Sequence, residues 1–203
     1  MTEPSQPTAA RVGVVERDTR ETQIRLRLDV DGQGRGMIQT GVGFFDHMLE
    51  LLARHGLFDL DITATGDLHT GAHHTVEDVG ICMGIALEQA LGAKAGIVRY
   101  GSSLLPMDET LVMVALDLSG RPHLSWDVDL PPVPIGTFDA LAAQEFFQAL
   151  ANNARLTLHV RLLSGINPHH VIEAVFKGVA RALDQATGFD PRSPGVPSTK
   201  GLL

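Results

Sequence analysis

The sequence predicts an α+β fold made of two internally duplicated halves, each a roughly four-stranded sheet packed on two helices. Three observations predict it. The pattern His-His-x-x-Glu occurs twice, as His73-His74-Thr75-Val76-Glu77 and His169-His170-Val171-Ile172-Glu173. In each half this pattern opens the last helix and a Leu-x-Gln-Ala segment closes it, Leu87-Glu88-Gln89-Ala90 and Leu183-Asp184-Gln185-Ala186. The order of elements is the same in both halves and is not a simple βαβ alternation. No linker separates the halves, so one merged core is expected rather than two independent domains. The boundaries follow: an N-terminal tail over 1–10, a first half over 11–96, a second over 97–190 and a C-terminal tail over 191–203.

Taken in order, strands are expected over 11–18 and 22–30, the second alternating through Ile24, Leu26, Leu28 and Val30. Asp31-Gly32-Gln33-Gly34 is a turn, and a short strand follows over 36–40. Phe44, Met48, Leu51 and Leu52 have helical spacing over 44–55. Phe58, Leu60 and Ile62 alternate in a strand over 57–65. The helix over 73–91 carries an apolar stripe through Val76, Val79, Met83, Leu87 and Leu91. The second half repeats this with strands over 97–105, 110–118 and 123–128, a helix over 138–152, a strand over 154–163 and a helix over 168–187. Pro168 suits the first turn of that last helix, with Asn167 as its cap.

Composition narrows the function. The 203 residues are 44% hydrophobic, enough for a sizeable core, and the formal charge of -8 argues against nucleic acid as a partner. A small anionic ligand needs only a few local cations and is not excluded. The single cysteine, Cys82, has no disulfide partner and sits in an apolar helical stretch. It reads as a core residue in a reducing cytoplasm. There is no signal peptide and no apolar run long enough for a membrane span. The first ten residues read as mobile, and the Pro-, Gly- and Ser-rich tail as irregular.

The chemistry lies in the duplicated pattern. On a helix, positions i and i+4 share one face while i+1 is rotated by about 100°. His73 and Glu77 therefore share one metal, and His169 and Glu173 another, while His74 and His170 point elsewhere. A symmetric solution is an exchange, in which His73 and Glu77 take His170 while His169 and Glu173 take His74. The preceding helices supply fourth positions, His47 for the second set and Glu145 for the first. These ligands come from one chain or from neighbouring chains. Nitrogen and oxygen donors without thiolate suit a six-coordinate ion such as manganese, with positions left for substrate. The lone histidines His55, His69, His123 and His159 read as satisfied core residues.

The residues also match a family. Arg20-Glu21-Thr22, Phe45-Asp46-His47-Met48-Leu49, Ala64-Thr65-Gly66-Asp67, His73-His74-x-x-Glu77-Asp78, Asp117-Leu118-Ser119-Gly120-Arg121-Pro122, His169-His170-x-x-Glu173-Ala174 and Pro197-Ser198-x-Lys200-Gly201 resemble the imidazoleglycerol-phosphate dehydratases, from about Arg11 to Leu203. The resemblance implies a fold like the second domain of ribosomal protein S5. It implies two Mn2+ ions per active site, a homo-oligomer of 24 subunits and active sites between subunits. The implied reaction of histidine biosynthesis dehydrates D-erythro-imidazole-glycerol phosphate to imidazole-acetol phosphate, with the ring stabilised as imidazolate by the two ions. It assigns acid/base work to Glu21, with His47 and Glu173 also catalytic. It assigns substrate and phosphate contacts to Glu21, Arg99, Arg121, Lys177, Ser198 and Lys200. One departure stands out: where the family usually carries a metal-binding histidine, this chain has Glu145. Two other readings fit a doubled metal site, a binuclear metallohydrolase such as a phosphatase, and a shell whose metals only join subunits.

Overall fold

Alternating burial decides the layers. The computed structural model describes residues 10–203, so all but the last residue of the expected N-terminal tail lie outside the described residues. β1 (Val12–Asp18), β2 (Thr22–Asp29), β3 (Gly36–Gln39) and β4 (Asp59–Gly66) form one sheet in the order β1-β2-β4-β3. Its pairs are antiparallel except β3 with β4. Along β2, Thr22, Ile24, Leu26 and Leu28 are buried and the residues between them exposed, so one face takes the core. The second half reproduces this. β5 (Tyr100–Met107), β6 (Thr110–Asp117), β7 (His123–Asp127) and β10 (Thr157–Ser164) pair in the order β5-β6-β10-β7, again with one parallel pair, β10 with β7. The duplication seen in the motifs is thus a duplication of topology.

The helices α1 (Gly43–Gly56) and α2 (His73–Leu91) belong to the first half, α3 (Ala142–Asn153) and α4 (Pro168–Thr187) to the second. α2 lies on β1 and β2, and α4 on β5 and β6. Across the halves, α2 packs on α3 and α1 on α4. The apolar stripes therefore meet in one shared core, where Phe45 and Phe146 lie 5.4 Å apart and Phe146 and Phe176 5.2 Å. Asn167 caps α4 as expected, its side chain accepting from His169 N at 3.0 Å, with Pro168 in the first turn.

The repeated Leu-x-Gln-Ala segment has a physical reason. β1 and β5 are edge strands, whose outward N–H groups need partners. Gln89 Oε1 accepts from Val14 N at 3.0 Å, and Gln185 Oε1 from Ser102 N at 2.9 Å. The residue before each of these donors is glycine. A Cβ at Gly13 would stand 2.0 Å from the Ala86 carbonyl oxygen, and one at Gly101 would stand 1.8 Å from that of Ala182. The long helix of each half closes onto its edge strand only because no side chain intervenes.

Several boundaries differ from expectation. The strand expected from 97 begins at Tyr100, because Arg99 is left-handed and Ile97 pairs with Phe189 instead. Residues 138–139, expected in a helix, form β9 (Phe138–Asp139), paired with β8 (Pro134–Ile135) across Gly136 at a φ of 63°. Leu57 and Arg155, both expected in strands, take positive φ in the turns that leave α1 and α3. The lone histidines are not core residues: His69, His123 and His159 are exposed and His55 is half-buried. Cys82 is buried as expected, and burial pushes its thiol up to about 11. No helix is long and apolar enough to cross a membrane.

Candidate active site

All four helices begin at the same end of the molecule, and the chemistry gathers there. Where α1 meets α4, His169 Nε2 lies 3.2 Å from Glu173 Oε2, and His47 Nε2 lies 3.9 Å from the same oxygen. The other oxygen, Oε1, accepts from Lys177 Nζ at 2.6 Å. Burial pushes the Glu173 carboxyl up, but the bonds and charges of Lys177 and His169 outweigh it and hold the group below the usual carboxylate range. Glu173 thus stays ionised, with one oxygen turned toward two imidazoles.

Where α2 meets α3, the pseudo-equivalent arrangement appears. His73 Nε2 lies 3.6 Å from Glu77 Oε2. His73 also shares a cleft of about 270 Å³ with Glu145 and Asp139. Glu145 therefore occupies in the second half the place that His47 holds in the first.

His74 and His170, one position on, face other ways, as the helical rotation requires. His74 Nδ1 lies 3.0 Å from Asp67 Oδ2 and 3.9 Å from Glu21 Oε2. His170 Nδ1 lies 2.8 Å from Glu109 Oε2. These bonds raise both histidines above their ordinary value and draw Glu109 down to about 2. Within the chain, then, the site residues fall into two clusters, His47 with His169 and Glu173, and His73 with Glu77 and Glu145. The structure does not bring His74 to the first or His170 to the second. Among the described residues, no three His, Cys, Asp or Glu side chains close into a metal-holding group. The donors present are imidazole nitrogens and carboxylate oxygens, with the thiol buried in the core. This set fits an oxygen- and nitrogen-seeking divalent ion such as manganese.

The expected phosphate contacts form a separate cleft of about 910 Å³ that contains Arg99, Arg121, Ser198 and Lys200. Arg99 is held by Asp117 at 2.7 and 3.1 Å and by the Pro197 carbonyl at 2.7 Å. Arg121 bonds the Ser119 carbonyl, and the Lys200 amide bonds Ser198 Oγ at 3.2 Å. Arg155, which sequence reasoning missed, lines the same cleft with its Nε on the Gly120 carbonyl at 3.3 Å. Lys177 is not there; it sits at the helix-start end beside Glu173. The cleft lies where β6 ends and His170 where β6 begins, so the length of that strand, about 23 Å, separates them.

Asp67 and Glu109 were also missed as partners of histidine. A signal existed for Glu109, since Glu109-Thr110 repeats Glu21-Thr22 at the start of the equivalent strand.

Known proteins are similar to this chain in sequence and fold. The family sequence model described as imidazoleglycerol-phosphate dehydratase matches residues 40–183. The imidazoleglycerol-phosphate dehydratase of Moorella thermoacetica is 55% identical over 96% of this chain and 99% of its own length. That of Roseobacter denitrificans is 60% identical over 93% and 97%. Among solved structures, the imidazoleglycerol-phosphate dehydratase of Staphylococcus aureus superposes with a TM-score of 0.80 at 42% identity, covering 88% of this chain and 99% of that one. The Pyrococcus furiosus enzyme, in complex with (S)-C348, gives 0.80 at 38% identity, covering 93% and 100%. With its fold and nearly its full length matched, this chain belongs to the imidazoleglycerol-phosphate dehydratases, hydro-lyases of histidine biosynthesis.

Proposed function

We propose that the chain dehydrates D-erythro-imidazole-glycerol phosphate to imidazole-acetol phosphate in a two-manganese site assembled between copies of itself, the copies forming a closed shell of 24. One observation carries the reading. The histidine–carboxylate clusters and the phosphate-type cations sit at opposite ends of one chain, about 23 Å apart, while the substrate's ring and phosphate are separated by only three carbons. His74 and His170 agree with it, since each is bonded through Nδ1 to a carboxylate outside the cluster of its own helix.

The residues that would hold the ions are His47, His73, His74, Glu77, Glu145, His169, His170 and Glu173. Bound there, the ions supply Lewis acidity toward the ring nitrogens. The chain does the rest. Glu21, exposed at the start of β2 and 3.9 Å from His74, would take the proton from the second side-chain carbon, next to the one that bears the ring. The electron-rich ring expels the hydroxyl from the carbon that bears it, a proton making it water; loss of the proton from the next carbon returns the electron pair to the ring and leaves an enol, which ketonises to the acetol. Arg99, Arg121, Ser198 and Lys200 of another copy bind the phosphate, with the arginines supplying paired donors and the lysine a compact charge. Lys177, bonded to Glu173 at 2.6 Å, stands at the histidine end, where the phosphate-binding cleft of another copy would meet it.

The test is direct. Manganese-loaded protein incubated with imidazole-glycerol phosphate is expected to form the keto product without releasing phosphate. Release of phosphate would mark a binuclear hydrolase, and neither product would mark metals that only join subunits.

A further inference from the structure

Four of the histidines at the helix starts fall into two kinds, told apart by which ring nitrogen lies closer to a carboxylate. In His73 and His169, Nε2 faces the carboxylate of its own cluster at 3.6 and 3.2 Å, whereas His47 has Nε2 3.9 Å from Glu173 and Nδ1 3.9 Å from Glu50. In His74 and His170, Nδ1 makes the hydrogen bond, to a carboxylate outside both clusters, and His170 Nε2 lies no nearer than 3.9 Å to Asp108. A neutral imidazole that donates from Nδ1 carries its lone pair on Nε2, the atom a metal takes.

We infer that Asp67 and Glu109 are positioning residues, fixing the tautomer and ring plane of His74 and His170 so that each presents Nε2 to a metal completed by another copy of the chain. The inference deepens the proposed two-metal function and rests on it. Asp67 is held through its backbone and Glu109 through its carboxylate. Asp67 N donates to the Glu21 carbonyl at 3.0 Å, and the turn after it closes through Thr70 N on the Asp67 carbonyl at 2.8 Å. Glu109 accepts the Asn167 amide on Oε1 at 3.1 Å while Oε2 takes His170 at 2.8 Å.

The halves divide this labour unequally. Glu109 and Glu21 occupy the same place in the repeat, each just before a strand that opens with a buried threonine, Thr110 and Thr22. In the second half that glutamate is used to hold the histidine. In the first half Asp67 holds it, and Glu21 is left 3.9 Å from the ring with its carboxylate free for the substrate. This explains why the duplicated chain has one proton-transfer glutamate and not two.

The experiment measures manganese binding to the metal-stripped full chain by titration with electron paramagnetic resonance detection of free ion. Wild type is expected to bind two ions per chain. Asp67→Ala and Glu109→Ala are each expected to weaken one of the two by ten- to hundredfold. Glu109→Gln, which keeps an acceptor for the Nδ1 proton, is expected to recover most of that loss. Thermal melting of the metal-free variants controls for folding, because a merely structural role would lower the melting temperature and leave affinity unchanged. If wild type binds two ions and both alanine variants bind them within threefold of wild type, the positioning role is wrong and the two-metal reading stands. If wild type binds no manganese, both fall.

Discussion

Removing residues 197–203 is the sharpest test of the phosphate assignment. The cut takes away Lys200, the Ser198 hydroxyl and the Pro197 carbonyl that bonds Arg99 at 2.7 Å. It leaves the anchors of the segment before it, Gly195 O on Gly96 N at 2.9 Å and Asp190 N on Gly96 O at 2.8 Å. Arg99 also stays bidentate on Asp117, so its direction survives. The Lys200 contact alone is one charge-assisted bond to a bound phosphate, about 1.5–3 kcal/mol, and sets the floor of the loss, to which the Ser198 hydroxyl adds. At about 1.4 kcal/mol per factor of ten, KM should rise at least about ten- to hundredfold. Because none of these residues lies at the helix-start end, kcat should change much less. Steady-state kinetics of the truncated, manganese-loaded protein reads both numbers. A KM within twofold of wild type would show that the tail covers the cleft without touching the substrate.

Three further outcomes are expected. Glu21→Gln should retain manganese and substrate binding but lose about 10²–10⁴ in kcat, the usual worth of a placed acid/base; near-normal turnover would remove Glu21 from the mechanism. Gly101→Ala should destabilise the protein by about 1–3 kcal/mol in chemical unfolding, since its Cβ would meet the Ala182 carbonyl at 1.8 Å and α4 would have to shift; unchanged stability would mean that α4 yields freely. Complete chelation should lower the mass of the assembly in light scattering, because His74 and His170 are read as ligands to sites shared between copies; an unchanged mass would place the ions outside the interfaces.

What the sequence discloses depends on how local the cause is. The alternation of Ile24, Leu26 and Leu28 is a period-two signal, and β2 follows it. The divergence of His73 from His74 follows from helical rotation alone, and their carboxylate partners do lie on different faces. The hairpin of β8 and β9 was illegible because two-residue strands have no period, and the run of apolar residues after Gly136 was absorbed into the helix beyond it. Gln89 and Gln185 were visible as a repeat, yet their purpose needed the edge position of β1 and β5, a fact of pairing order. Glu109 was hardest to see. It lies 61 residues from His170, and only the register of β6 brings the two together. The Glu145 expectation was half legible: repeat alignment found its place beside His73, while binding of an ion by it belongs to the proposal.

The separation of the two ends within one chain leads to a stricter test of the shared site. A three-carbon spacer between ring and phosphate spans less than about 10 Å. The strand that separates the histidine end from the cation cleft is more than twice as long. No rotation of side chains closes that gap, so under the proposed function one chain supplies His73 to a site and another supplies its cleft. Two crippled chains should therefore rescue one another. One would carry His73→Ala; the other would lack residues 197–203 and carry Arg121→Ala. In a randomly mixed symmetric assembly of equal parts, about a quarter of the sites would draw an intact histidine end from one chain and an intact cleft from another. Recovery of about a quarter of wild-type kcat/KM after dissociation, mixing and manganese-driven reassembly is the expected result. If the mixture is no more active than the mean of the two variants assembled separately, the site is built within a single chain, and the opposite-ends argument is wrong.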